Sequence, residues 1–268
     1  MEKYLGLPFD ASAQGPQIDS LIGIVHWLML ALFVGWGAFF VYTLIRFRRK
    51  AHPKADYHGV KTHTSSYLEV GIALIEAVLL IGFSIPFWAR KVSAFPAEKD
   101  AVVVHVVAEQ FSWNIHYPGP DGVFGRTSPD LIAPDNPLGL DRTDPYAKDD
   151  ITTVNQLNLP VDKPVIVHLS SKDVIHSFNL PVMRVKQDAV PGLNIPVWFT
   201  PVDTGHFEIA CAQLCGLGHY RMRGYLTIQT PEDYKAWVDD QEKQLAPPPA
   251  DTTKAVAAVA DSTAKSAN

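Results

Sequence analysis

Cysteine is nearly missing from this sequence: among 268 residues there are two, Cys211 and Cys215. No Cys-x-x-Cys-His run occurs, which excludes a fused c-type haem domain. An excess of positive charge is missing as well, since the formal net charge is -5, and that balance disfavours a nucleic-acid partner. There is no internal repeat, so the chain is not an array of like units. Ahead of the first long apolar run there is no basic segment of the kind that opens a cleavable signal. The run is followed instead by Arg46, Arg48, Arg49 and Lys50, a stop-transfer flank. It is therefore expected to stay in the mature protein.

Long apolar runs are present, and they are confined to the first ninety residues. Segments 18–47 and 67–90 are each long enough to cross a hydrocarbon core of about 30 Å as a helix. Between Arg46 and His63, six Lys or Arg stand against the single acid Asp56, so the connecting loop 48–66 is predicted to be cytoplasmic. The N-terminal segment 1–17 and everything beyond the second span then lie outside. That outer portion is more acidic than the chain as a whole and should attract cationic partners at low ionic strength.

From Ala101 the pattern changes to short strand-like runs: 101–108, 111–117, 151–157, 164–170, 196–200, 206–211 and 224–229. Pro, Gly, Asn and Asp clusters separate them, which predicts an all-β Greek-key sandwich over 99–245 and not alternating β and α units. Within it, 118–150 carries seven Asp and almost no periodicity. It reads as an insertion, either a solvated excursion or a docking surface for a basic partner. Pro231-Glu232-Asp233 opens a predicted helix over 231–245. The tail 246–268 has too little large apolar surface to fold and is expected to be disordered.

The segment Cys211-Ala-Gln-Leu-Cys215-Gly-Leu-Gly-His219-Tyr-Arg-Met222, with His176 upstream in Asp173-Val-Ile-His176-Ser, gathers thiolate, imidazole and thioether. That soft donor set favours copper over magnesium, calcium or manganese. Two cysteines four apart in one loop can each lie between two metals, with His176 and His219 capping the ends. Met222 and the backbone carbonyl of Gln213 remain for weak axial positions. Three other readings stay open: a disulfide between the two cysteines, a single blue copper, and a Cys2His2 zinc site, which leaves Met222 unexplained.

The loop resembles that of the cytochrome c oxidase subunit II family, C-x-E-x-C-G-x-x-H-x-x-M with an upstream D-V-x-H-S. Lys186-Gln-Asp188-Ala-Val-Pro191-Gly192 is similar to the family's intervening segment. The likeness runs from the first apolar helix to Gln229. It implies a two-helix anchor and a cupredoxin-like domain holding a binuclear copper A centre on His176, Cys211, the Gln213 carbonyl, Cys215, His219 and Met222. It also implies partners: haem-bearing subunit I, subunit III, and cytochrome c or a similar basic donor. The implied place is a bacterial inner membrane with the copper domain outside. Electrons would pass to subunit I, where oxygen is reduced to water with proton pumping. A nitric-oxide-reducing relative and a membrane-anchored copper carrier are the rival readings. A quinol oxidase subunit would usually lack the copper ligands.

Three departures from the family pattern matter. Gln213 stands where relatives have the Glu that also reaches a magnesium ion, and a neutral amide is a poorer ligand for a hard cation. The magnesium site is therefore expected to be weak, differently built or absent. Phe111 replaces the Trp through which cytochrome c is thought to donate, so Phe111 or Trp113 is a candidate receiving ring, with plain packing as the alternative. In the second helix Glu69 matches a carboxylate at the mouth of a proton pathway. Glu76 stands seven residues on, on the same face, in place of a family Pro. An acid that deep in a bilayer is a functional candidate by default.

Overall fold

The computed structural model describes residues 6–54, 57–59 and 61–245. The expected disordered tail, the first five residues, and Asp56 of the connecting loop lie outside the described residues.

The first helix, α1 (Gly15–Arg46), begins with Pro16 in its first turn, where a missing N–H costs nothing. Its 32 residues span about 48 Å at 1.5 Å per residue. The second, α2 (Thr64–Leu79), runs through a π turn (Leu80–Ser84) into α3 (Ile85–Ser93). Pro86 explains the wide turn: its ring would crowd the carbonyl one turn earlier, and the extra residue opens that turn. Both helical segments are long and apolar enough to cross a membrane, and neither is buried by the rest of the chain. Against the predicted 18–47 and 67–90, the first starts three residues earlier and ends one earlier, and the second extends three residues at each end.

The outer domain is two five-stranded sheets. One has the order β3 (Ile151–Val154), β2 (Ser112–Tyr117), β1 (Val102–Glu109), β5 (Val165–Ser171), β8 (Ile195–Phe199). The other runs β4 (Gln156–Pro160), β10 (Arg223–Gln229), β9 (Gly205–Cys211), β6 (His176–Leu180), β7 (Val185–Ala189). The β1–β5 and β4–β10 pairs are parallel and the rest antiparallel. Inward-facing Val104, Val106, Ile115, Leu157, Leu169, Phe178, Ile209 and Leu226 fill the space between the sheets. The sandwich has ten strands where seven runs were predicted. Asn155, with φ 59°, breaks 151–157 into β3 and β4, and β6 and β7 hide behind Pro181 and charged side chains. A last helix, α4 (Pro231–Leu245), starts on Thr230, whose Oγ1 accepts from the Asp233 N–H at 3.1 Å. It sets Trp237 against Tyr117, ring centroids 5.2 Å apart.

Two joints fasten this sandwich to the helices. Arg184, in a left-handed conformation just before β7, pairs with buried Asp19 of α1 at 2.7 and 2.8 Å. Lys91 of α3 lies over the Trp198 ring at 3.8 Å, and Trp198 Nε1 donates to the Lys91 carbonyl at 2.9 Å.

The 118–150 segment packs on the β1–β2 face. Phe124 stacks on His105 at 3.8 Å, and buried Asp150 accepts from His116 at 2.6 Å and from the Gly125 N–H at 2.8 Å. Arg142 donates to the carbonyls of Ala147 and Asp150. Burial first, then the neighbouring His116 and His168, holds His105 down to about 4.

Candidate metal centre

The loop from Cys211 to Met222 is the connection between antiparallel β9 and β10, closed at its base by the Cys211 N–H donating to the Met222 carbonyl at 3.3 Å. Strand β6 lies beside β9, with Phe178 opposite Cys211, and this register delivers His176 to the loop. A short 3-10 turn (His219–Arg221) returns His219 toward the cysteines.

The structure brings all the sequence-predicted metal ligands together. The two sulfurs are 3.8 Å apart, and both cysteines are free. At one end, His176 Nδ1 stands 3.9 Å from Cys211 Sγ and 3.1 Å from Met222 Sδ. At the other, His219 Nδ1 stands 3.7 Å from Cys215 Sγ. Met222 Sδ is 3.7 Å from Cys215 Sγ, and the Gln213 carbonyl is 3.2 Å from Cys211 Sγ. His176, Cys211 and Cys215 have ligand atoms within 4.8 Å of one another; His219 lies beyond that group. Donors bound to one ion at about 2.0–2.3 Å cannot be much more than about 4.5 Å apart. His176, Cys211 and Cys215 lie near that limit as a group. Together the thiols, imidazoles and thioether make a soft donor set that fits copper. Burial, then neighbouring Cys211, pushes the Cys215 thiol up to about 11, so metal uptake must displace protons from thiols.

Residues the sequence reading passed over hold these ligands in place. Asp173 Oδ1 accepts from His176 Nε2 at 2.9 Å, which leaves Nδ1 free for metal. Burial alone would raise the Asp173 pKa, but hydrogen bonds from His176 and from the N–H groups of Gln110 and Val174 outweigh it and lower it. Gln110 reaches both ends of the site. Its N–H donates to Asp173 Oδ2 at 2.7 Å, and its side-chain amide donates to the Cys215 carbonyl at 2.6 Å. The Asp173 role had a local signal, an acid three residues before a ligand; the Gln110 role, across 105 residues, had none.

Phe111 lies over the loop. A Cβ on Gly218 would come within 2.4 Å of its ring, and one on Gly216 within 2.6 Å of the Gln110 amide. The two glycines are therefore seats for the turn between β1 and β2. Trp113 is fully enclosed, its ring 6.2 Å from that of His176 and 5.5 Å from Phe178. Phe111, the other candidate receiving ring, is half-buried. Around the metal loop Leu214, Leu217 and Tyr220 project, Leu217 at 98% exposure. Glu69 and Glu76 lie far along the chain from this centre, exposed on α2 and two helical turns apart.

Residues 102–228 match the family described as cytochrome c oxidase subunit II, periplasmic domain. The alternative cytochrome c oxidase subunit 2 of Bradyrhizobium diazoefficiens is 37% identical over 227 residues, covering 84% of this chain and 80% of that protein. The chain belongs to the cytochrome c oxidase subunit II family. The cytochrome c oxidase subunit 2 of Thermostichus vulcanus is 29% identical over 254 residues, 86% of this chain and 77% of the relative. Among solved structures, the periplasmic domain of subunit II from Bradyrhizobium japonicum is 29% identical, covering 54% of this chain and 96% of that one, with a TM-score of 0.40. As a subunit II, the chain is a membrane-anchored component of a haem-copper oxidase and has a subunit I as partner. The His and Cys cluster on its cupredoxin-like domain suits copper.

Proposed function

We propose that this subunit II accepts electrons from cytochrome c, or a similar basic carrier, at a binuclear copper A centre and passes them to a haem in subunit I. The observation that carries the reading is the pair of sulfurs 3.8 Å apart, with an imidazole nitrogen beyond each of them. His176 and His219 would cap the two coppers, Cys211 and Cys215 would bridge them, and Met222 and the Gln213 carbonyl would take the weak positions. When bound, the copper pair supplies a one-electron relay shared by two metals. The chain's part is to hold six donors still: Asp173 orients one imidazole, Gln110 pins the cysteine loop, and buried Met222 closes the site against water. A rigid ligand set keeps reorganisation small.

Donor docking is assigned to the acidic outer portion, with Phe111 as the receiving ring. Subunit I is assigned to the apolar rim of Leu214, Leu217 and Tyr220, since exposed apolar clusters of this kind mark interfaces. His219 would face it. Subunit III completes the complex, and oxygen reduction to water with proton pumping is placed in subunit I. Glu69 is assigned to proton uptake from the inner side, and Glu76 to the same path or to a bond with subunit I. With Gln213 in place of Glu, the magnesium of relatives is proposed to be weakly held or missing. The membrane is proposed to be the bacterial inner membrane, with the copper domain outside. Stopped-flow reduction of the intact oxidase by cytochrome c tests the reading. Copper-band bleaching ahead of haem reduction supports it; haem reduction with an unchanged copper band contradicts it.

A further inference from the structure

A groove of about 470 Å³ separates the outer ends of the two helical segments. Its α1 wall presents Gln17 and Ser20, then Leu21 and Ile24 a turn deeper. Its other wall presents Arg90 near the end of α3, then Phe87 and Phe83 deeper. Gly82, in the π turn, lines the groove without a side chain to fill it. Polarity therefore changes in the same direction along both walls, from a cation and two uncharged polar groups at the outer end to aromatic and aliphatic side chains below. Arg90 has no ion pair among the described residues, whereas neighbouring Lys91 is engaged with Trp198. A smaller pocket continues the groove toward the sandwich and shares Gln17, Phe87 and Arg90.

We propose that this groove binds one anionic phospholipid from the outer leaflet, its phosphate at Arg90 with Gln17 and Ser20, and an acyl chain along Leu21, Ile24, Phe83 and Phe87. Charge complementarity selects the headgroup: a guanidinium at the membrane surface presents a fork of donors matched to phosphate oxygens. The helix depth selects a lipid, because Arg90 stands at the end of a span, where headgroups lie, and the apolar walls face the hydrocarbon. The lipid would fill the space between the two helices next to the Lys91–Trp198 joint, and so brace the anchor under the metal domain.

The test uses the intact oxidase containing the full chain, stripped of loosely held lipid in detergent. It is titrated in native mass spectrometry with phosphatidylglycerol or phosphatidylcholine of matched chains. The wild type should retain one phosphatidylglycerol that Arg90→Gln retains about tenfold less well, the loss of a charge-assisted contact. Ile24→Trp, which fills the apolar half, should weaken it too while Arg90 is kept. On the unaltered protein, a diazirine-bearing phosphatidylglycerol should label residues 16–24 and 82–90 above Phe33 and Phe39, which face outward elsewhere on α1. Equal retention of both lipids, unchanged retention in Arg90→Gln, or no labelling of the groove because another subunit fills it would each overturn the proposal.

Discussion

The side-chain amide of Gln110 donates to the backbone carbonyl of Cys215 at 2.6 Å, so a residue in the turn between β1 and β2 also fixes the centre of the metal loop. Replacing Gln110 with Leu removes the donor and leaves a half-buried carbonyl unpaired, a cost of about 1–3 kcal/mol. The copper-band spectrum of the intact oxidase should shift and its copper should be lost at lower chelator concentration. Gln110→Glu should behave likewise, since a carboxylate cannot donate to a carbonyl. Wild-type spectra for both would remove Gln110 from the set of positioning residues.

Asp173→Ala deprives His176 Nε2 of its acceptor. Outer-shell carboxylates of this kind are worth about 10–100-fold in metal affinity, and competition with a copper chelator should show a loss of that order. Affinity equal to wild type would mean that packing alone orients the imidazole.

Gly218→Ala sets a methyl 2.4 Å from the Phe111 ring. The expected destabilisation is about 1–3 kcal/mol, as for other overpacked sites, with partial recovery when combined with Phe111→Leu. Phe111→Leu alone should slow electron transfer from cytochrome c while leaving copper content intact. If the double variant is no better than Gly218→Ala, the ring is not what requires glycine.

His105 has a pKa held at about 4 in the folded chain, against an ordinary 6.5, chiefly because it is buried under Phe124. The unfolded chain therefore takes up this proton first, and stability present above pH 6.5 should fall as the pH drops from 6.5 toward 4. Proteolysis within 118–150 should rise over that interval, and His105→Gln should flatten the dependence. A cleavage rate independent of pH in the parent protein would show that this imidazole does not govern the insertion.

Glu69→Ala is expected to slow proton uptake by the oxidase with its copper absorption intact, and normal turnover would discard the proposed role.

Much of this was legible from sequence where the signal is local. The two spans follow from apolar run length, and α4 from Thr230, Pro231 and the acids after it. Six metal donors fell within two short motifs. Strands β6 and β7 were not legible, because a strand that carries a ligand and ends at Pro181 has no clean alternation. The 118–150 segment read as a solvated excursion or a docking surface, and neither reading showed that Asp150 would be buried against His116, a partner 34 residues away. Gln110 and the Phe111 seat on Gly218 depend on a contact between the β1–β2 turn and the β9–β10 loop, and such pairings exist only once the sheets have closed. Likewise, the full burial of Trp113 is a property of the assembled sandwich.

The most direct test is copper analysis with electron paramagnetic resonance on the subunit within its oxidase. Two coppers in this chain, with one unpaired electron split by both nuclei and lost in Cys211→Ser and Cys215→Ser, is the predicted result. A lone metal ion per chain, or a Cys211–Cys215 disulfide in the active complex, would contradict it.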